Sequence, residues 1–142
     1  MKIETNSFII ESDKKIDYID KILELLENDT KGILEFFNLE KLSKKKKVII
    51  YSNVEKYKEH LLPYVKEYKI WMCGDTYDNN INLLDIDEAR SKTVHNDMTF
   101  EQFYKGILHE FVHACQQEIN SNADGVEWFW ESLENKFKWT RL

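Results

Sequence analysis

The chain has 142 residues, of which 42% are hydrophobic and 13% aromatic, with 4 glycines and 1 proline. This composition indicates a globular rather than a disordered chain, and the length suits one domain spanning residues 1–142. The formal net charge of −6 argues against a general nucleic-acid binder, because phosphate binding needs clustered Lys and Arg. The one basic run, Lys44–Lys47, is interpreted as a solvated turn before a strand.

The sequence shows no targeting or membrane-spanning segment. The opening stretch, MKIETNSFIIESDKK, has no apolar run long enough for a signal peptide, and no segment approaches the roughly 18 apolar residues of a membrane span. Cys73 and Cys115 have no disulfide or zinc-knuckle spacing, so we expect buried free thiols. We therefore predict a cytoplasmic protein, although an exported chain without its leader would look the same. The sequence leaves the oligomeric state open.

Hydrophobic patterning predicts an α+β domain with a small sheet of three or four strands. In chain order, the predicted strands are Ile3–Ile10, Lys47–Ser52, Tyr68–Cys73 and Ile81–Asp85, the last two forming an antiparallel hairpin around the polar turn near Asn79. The predicted helices are Asp13–Leu39 with a break or bend at Gly32, Val54–Leu62 before Pro63, a helix capped by Thr99 and Gln102 that runs to Ile119, and Gly125–Trp139.

The segment Gly106–Gln117, GILHEFVHACQQ, contains the pattern H-E-x-x-H at His109, Glu110 and His113. Around a helix, all three side chains lie outside the broad apolar arc, whereas core histidines would lie within it; exposed surface histidines are the alternative. Residues four apart lie one above the other, so two imidazoles can reach one Zn²⁺ ion. Glu110, one step round the helix, is placed instead to take a proton from a metal-bound water.

A catalytic zinc needs a third protein ligand and an open position. The third histidine of the metzincins is absent, because Gln116 and Ile119 occupy the glycine and histidine positions of that motif. In the predicted final helix, Glu131 lies outside the apolar arc, and the short loop NSNADG would return it to the ion. Glu131 is the favoured ligand, and Glu127, one turn away on the same side, is the alternative.

The stretch HEFVHACQQ followed by EWFWESLENKF resembles the gluzincin metallopeptidases, the thermolysin-like peptidases of the MA clan. The small bacterial members of that group carry an HE..H helix and then a W..EG.A helix. Trp128 and Glu131 match the second motif in place, and the resemblance covers roughly Lys45 to Lys138.

The chain also departs from the gluzincin pattern. Ser132 stands in place of the glycine and Glu134 in place of the alanine of the second motif. Asn135 stands where thermolysin-like members have an acid; an amide there can orient His109 but does not raise the basicity of its ring as a carboxylate does.

The resemblance implies a zincin-like fold, with a small mixed or antiparallel sheet packed on the HExxH helix and on a C-terminal glutamate helix. It implies Zn²⁺ as the cofactor, peptide-bond hydrolysis with Glu110 as the general base, and a peptide or protein substrate bound along an edge strand near Asn80–Leu84. The transition-state donor stays open among His95, Tyr77 and Tyr104. The alternative function is a zinc-containing binding or regulatory module on the same fold, with little or no turnover.

Overall fold

The computed structural model describes residues 1–77 and 80–119. Its strands are β1 (Lys2–Glu4), β2 (Phe8–Ser12), β3 (Lys46–Tyr51), β4 (Gly74–Tyr77) and β5 (Asn80–Leu84). Its helices are α1 (Ile19–Phe36), α2 (Val54–Leu61), α3 (Ile86–Lys92) and α4 (Phe100–Ile119). The predicted α+β class is therefore correct at this coarse level. The predicted final helix, with Glu127 and Glu131, lies outside the described residues.

The strands form one mixed sheet with the order β1-β2-β3-β5-β4. Its three inner strands, β2, β3 and β5, are parallel, and β1 and β4 pair antiparallel with their neighbours. The segment Asn80–Leu84, which was predicted to be an edge strand, is internal, because β3 and β4 pair with its two sides. Its backbone groups are used on both sides, so strand addition of a peptide there is excluded.

The sheet separates two layers of side chains. Phe8, Val48 and Ile50 are buried on one face, and α4 packs on this face through contact between the rings of Phe8 and Phe111. Because successive strand residues alternate, Tyr51 and Asp75 belong to the other face, where they meet α2. The helix that carries the histidine motif therefore lies on the opposite side of the sheet from α2.

Several predicted elements agree with the structure. The strand predicted at Lys47–Ser52 corresponds to β3, the helix at Val54–Leu62 to α2, and the long helix that begins after Thr99 to α4. An antiparallel hairpin does form in the predicted region, but its first strand is Gly74–Tyr77 rather than Tyr68–Cys73. Cys73 and Cys115 are buried free thiols, and burial raises the pKa of both.

The N-terminal third differs from the prediction in four ways, one of which is that helix α1 begins at Ile19 rather than at Asp13. The segment Ile3–Ile10 is a hairpin of two strands rather than one strand, because the chain turns where the N–H of Thr5 donates to the carbonyl of Phe8. Helix α1 continues through Gly32 without a break, since hydrogen bonding and packing outweigh the ~1 kcal/mol propensity cost of glycine. The lysine run is only partly a turn: Lys46, which is buried, begins the central strand β3.

The middle of the chain was the least predictable part. Tyr68–Cys73 is not a strand but a turn region, in which the N–H of Met72 donates to the carbonyl of Lys69, and β4 follows it. The short helix α3 was missed; the carboxylate of Asp85 caps it by accepting from the backbone N–H groups of its first turn. Among the described helices, none is long and apolar enough to cross a membrane.

Candidate metal centre

Local contacts fix both the residue at which helix α4 begins and the rotation of the helix about its own axis. The N–H of Thr99 donates to Oε1 of Gln102 at 2.9 Å, and the N–H of Gln102 donates to Oγ1 of Thr99 at 3.1 Å, which is the predicted capping box. Phe103, Ile107 and Phe111 are fully buried along one face. With its start and buried face fixed, the helix can present its histidines in only one direction.

The structure brings His109 and His113 together, as the spacing predicted. Their Nε2 atoms lie 3.0 Å apart, and the two rings are nearly perpendicular, at 89°, with centroids 4.5 Å apart. His109 is only 4% exposed and His113 is half-buried, so His109 does not fit the alternative of an exposed surface histidine. Two nitrogens this close either share a proton or face a common cation, since two N–H groups directed at each other would repel.

Glu110 lies beside the histidine pair and is 2% exposed. Its Oε2 atom is 3.8 Å from Nε2 of His109, and the candidate ligand atoms of Glu110, His109 and His113 all lie within 4.8 Å of one another. A buried carboxylate beside two imidazoles adds an oxygen ligand to two ring nitrogens, a combination that suits a metal cation. This position is compatible with a base next to a metal and also with a ligand.

Gln116 also belongs to the site. From the sequence, this residue served only to exclude the metzincins, because it occupies the glycine position of their motif. Its Oε1 atom lies 3.0 Å from Nδ1 of His113. This contact between a ring nitrogen and a side-chain amide is the kind that metal-ligating histidines make with their second nitrogen. The signal available in the sequence was the spacing of three residues on one helix, which makes the two side chains neighbours.

The donor set of the site fits zinc. Imidazole nitrogen and carboxylate oxygen are ligands that zinc accepts, and tetrahedral coordination with bonds of ~2.1 Å places two ligand nitrogens about 3.4 Å apart. The observed 3.0 Å separation of the two Nε2 atoms is within a small side-chain rotation of that value. Glu131, the predicted third ligand, lies beyond the part of the chain that the structure describes.

The three candidate transition-state donors make contacts elsewhere. The ring Nε2 of His95 lies 3.0 Å from the carbonyl of Trp71, and the ring of Tyr77 packs 3.7 Å from that of Tyr64. The hydroxyl of Tyr104 donates to Asp29 at 2.7 Å, and burial, together with this carboxylate, raises the pKa of that tyrosine. Within residues 1–77 and 80–119, the potential metal-binding cluster comprises His109, Glu110 and His113 alone.

A second polar cluster, not anticipated from the sequence, surrounds Asp75 on the opposite face of the sheet. The Asp75 side chain is 1% exposed and accepts from the Tyr57 hydroxyl at 2.9 Å and from Nδ2 of Asn82 at 3.1 Å. Nε2 of His60 lies 3.2 Å from the same carboxylate. These contacts join α2 to β4 and β5, which gives the cluster a structural role.

No protein-family model, curated protein or solved structure matches this chain.

Proposed function

We propose that the protein is a zinc-dependent peptidase in which His109 and His113 hold the metal and Glu110 acts as the general base. The observation that carries this proposal is the 3.0 Å approach of the two Nε2 atoms with a buried carboxylate 3.8 Å from one of them. A shared ion would lie within reach of all three groups, two of which, His109 and Glu110, are buried. Glu131 is proposed as the third ligand, with Glu127 as the alternative.

The metal, when bound, would polarise the scissile carbonyl and make a water molecule acidic enough to act as a nucleophile near neutral pH. Glu110 would accept the proton of that water and pass it to the leaving amine. Its burial suits this role, because a carboxylate shielded from bulk water exchanges its proton with the reactants rather than with solvent. The peptide substrate class is supported by the resemblance of the two sequence motifs to those of the gluzincins.

A zinc-containing module with little or no turnover is the second candidate, and a specific observation favours it. His95, Tyr77 and Tyr104 contact a backbone carbonyl, an aromatic ring and a carboxylate, respectively. A peptidase needs a donor to the oxyanion in its transition state. Within residues 1–77 and 80–119, the contacts of these three side chains therefore favour a site that holds a metal without efficient catalysis.

Replacing Glu110 by Gln separates the two candidates. We expect Glu110→Gln to keep its zinc and to lose hydrolysis of an unfolded protein substrate, because the amide has the same size but cannot accept the proton. Glu101→Gln is the matched control: Glu101 lies on the same helix, is exposed and pairs with Lys105, so both zinc and activity should persist. Zinc binding without any cleavage by the wild-type protein would favour the module, and loss of zinc in Glu110→Gln would make Glu110 a ligand.

A further inference from the structure

We infer that Gln116 is a positioning residue that fixes the tautomer of His113, so that Nε2 of this ring keeps its lone pair for the metal. The inference rests on the proposed zinc site. It goes beyond that proposal because it assigns a role to a side chain outside the H-E-x-x-H motif, and because it specifies where the protons of both histidines lie.

The first step concerns the ring of His113. A neutral imidazole has one N–H donor and one acceptor nitrogen, and an amide oxygen can only accept. With Oε1 of Gln116 at 3.0 Å from Nδ1, the proton of His113 belongs on Nδ1. Nε2 is then the nitrogen with the lone pair, which is what a metal ligand requires.

The second step concerns His109. In protein stripped of its metal, the 3.0 Å contact between the two Nε2 atoms must be a hydrogen bond if it persists. Because Nε2 of His113 accepts, Nε2 of His109 must carry the proton. On metal binding, the proton of His109 must move from Nε2 to Nδ1, while His113 keeps its tautomer and neither ring gains or loses net charge.

The third step concerns the choice of an amide. A carboxylate at this position would also accept from Nδ1 but would add a negative charge beside the ligand. Gln116 fixes the ring without that charge. Since both residues lie on α4 three positions apart, the contact is contained within one helix.

The test begins with nitrogen NMR of the ¹⁵N-labelled protein, which distinguishes the two tautomers of each ring. Spectra would be recorded at about pH 8, above the usual range of histidine pKa values. After treatment with a chelator, we expect His113 protonated on Nδ1 and His109 protonated on Nε2. After addition of Zn²⁺, we expect both rings to carry their proton on Nδ1. His113 protonated on Nε2 in the metal-free protein would overturn the inference, because Gln116 would then be donating through its amide nitrogen.

Variants of Gln116 supply the second measurement. We expect Gln116→Ala to mix the tautomers of His113 in the metal-free protein and to weaken zinc binding about 10- to 100-fold in competition with a chelator. Gln116→Glu should restore both properties, since its carboxylate also accepts from Nδ1. Glu101→Gln, at an exposed position in the first turn of α4 that pairs with Lys105, is the control and should leave both unchanged.

The outcomes separate this inference from the proposed function. If Gln116→Ala keeps the wild-type tautomer and zinc affinity, the inference fails while the zinc site stands. If the wild-type protein binds no zinc, the proposed function fails, and the tautomers of the metal-free protein still decide whether Gln116 orients His113.

Discussion

The ring of Phe111 packs against that of Phe8, with centroids 5.2 Å apart and planes inclined at 34°, and both side chains are fully buried. Phe111 directly follows Glu110 and lies between the two candidate metal ligands in sequence. This one contact therefore attaches the centre of the proposed site to the first parallel strand of the sheet. The site depends on the core for its position.

The first prediction concerns this contact. Phe111→Ala should lower the free energy of unfolding by about 3–5 kcal/mol, because it removes a buried ring and leaves a cavity. Phe111→Leu keeps much of the side-chain volume and should lower the free energy of unfolding by clearly less. Urea unfolding followed by circular dichroism measures both. Equal stability of Phe111→Ala and the wild-type protein would show that α4 is not attached to the sheet by this ring.

The second prediction concerns metal content. The purified protein should contain one zinc ion per chain, and His109→Ala and His113→Ala should each lose most of it, because affinity depends on the number of ligands. His95→Ala is the control, since His95 contacts a backbone carbonyl and belongs to no metal-binding cluster among the described residues. Elemental analysis after growth with added zinc provides the measurement. A wild-type protein free of zinc would count against the whole site.

The third prediction distinguishes Glu131 from Glu127 as the third zinc ligand. Glu131 lies three residues after Trp128, as in the W..EG.A motif, so Glu131→Ala should lose most of its zinc. Glu127→Ala should retain it. The reverse result in the same elemental analysis would show that the match at Trp128 is coincidental and that the register of the predicted helix is wrong.

The fourth prediction concerns the buried cluster around Asp75. Tyr57→Phe removes a hydroxyl that donates to a buried carboxylate at 2.9 Å, so we expect a loss of about 1.5–3 kcal/mol in the free energy of unfolding. Tyr68→Phe removes a hydroxyl that donates to the carbonyl of Met72 at 3.0 Å, a neutral acceptor, and should lose only about 0.5–1.5 kcal/mol. If urea unfolding shows that both variants lose the same free energy of unfolding, the carboxylate of Asp75 contributes no more to stability than a neutral acceptor does.

The fifth prediction concerns Asp13, whose carboxylate accepts from the N–H and hydroxyl of Ser52 and pairs with Lys56 at 2.8 Å. Burial alone would raise the pKa of Asp13, but the hydrogen bonds from Lys56 and Ser52 hold it well below its usual value. A depressed folded-state pKa contributes stability above the unfolded pKa of about 3.9, and this contribution is lost as the pH falls below it.

We therefore expect Asp13→Asn to be less stable than the wild-type protein near neutral pH and to approach it as the solution becomes acidic. Asp20→Asn, an exposed position in the first turn of α1, is the control and should show no comparable convergence. Urea unfolding measured at several pH values tests this difference. A stability gap that stays constant with pH would contradict the low pKa.

Several features were predictable because their causes are local in the chain. The capping box of Thr99 and Gln102 joins residues three apart, and the approach of His109 to His113 follows from one helical turn. Strand β3 was recognised from its β-branched residues alone. In each case the partners lie within a few residues, so the sequence pattern contains the interaction.

By contrast, β4 was misplaced, because the strand was assigned to the apolar stretch YKIWMC rather than to the polar segment Gly74–Tyr77. Asp75 can lie in a buried strand only because Tyr57, His60 and Asn82 satisfy its carboxylate, and two of these partners come from α2. No local pattern indicates such a set of partners, since an isolated aspartate is typical of a turn.

The sequence by itself determined the helix that carries the candidate metal ligands, their spacing and the mixed α+β class, because helical periodicity and capping act over a few residues. Only the tertiary structure decided that β5 lies inside the sheet, that His109 and Glu110 are buried and that the amide oxygen of Gln116 lies beside Nδ1 of His113. Strand order and burial depend on contacts between segments far apart in the chain. The Gln116 contact also depends on a side-chain rotamer, which residue spacing permits but does not select.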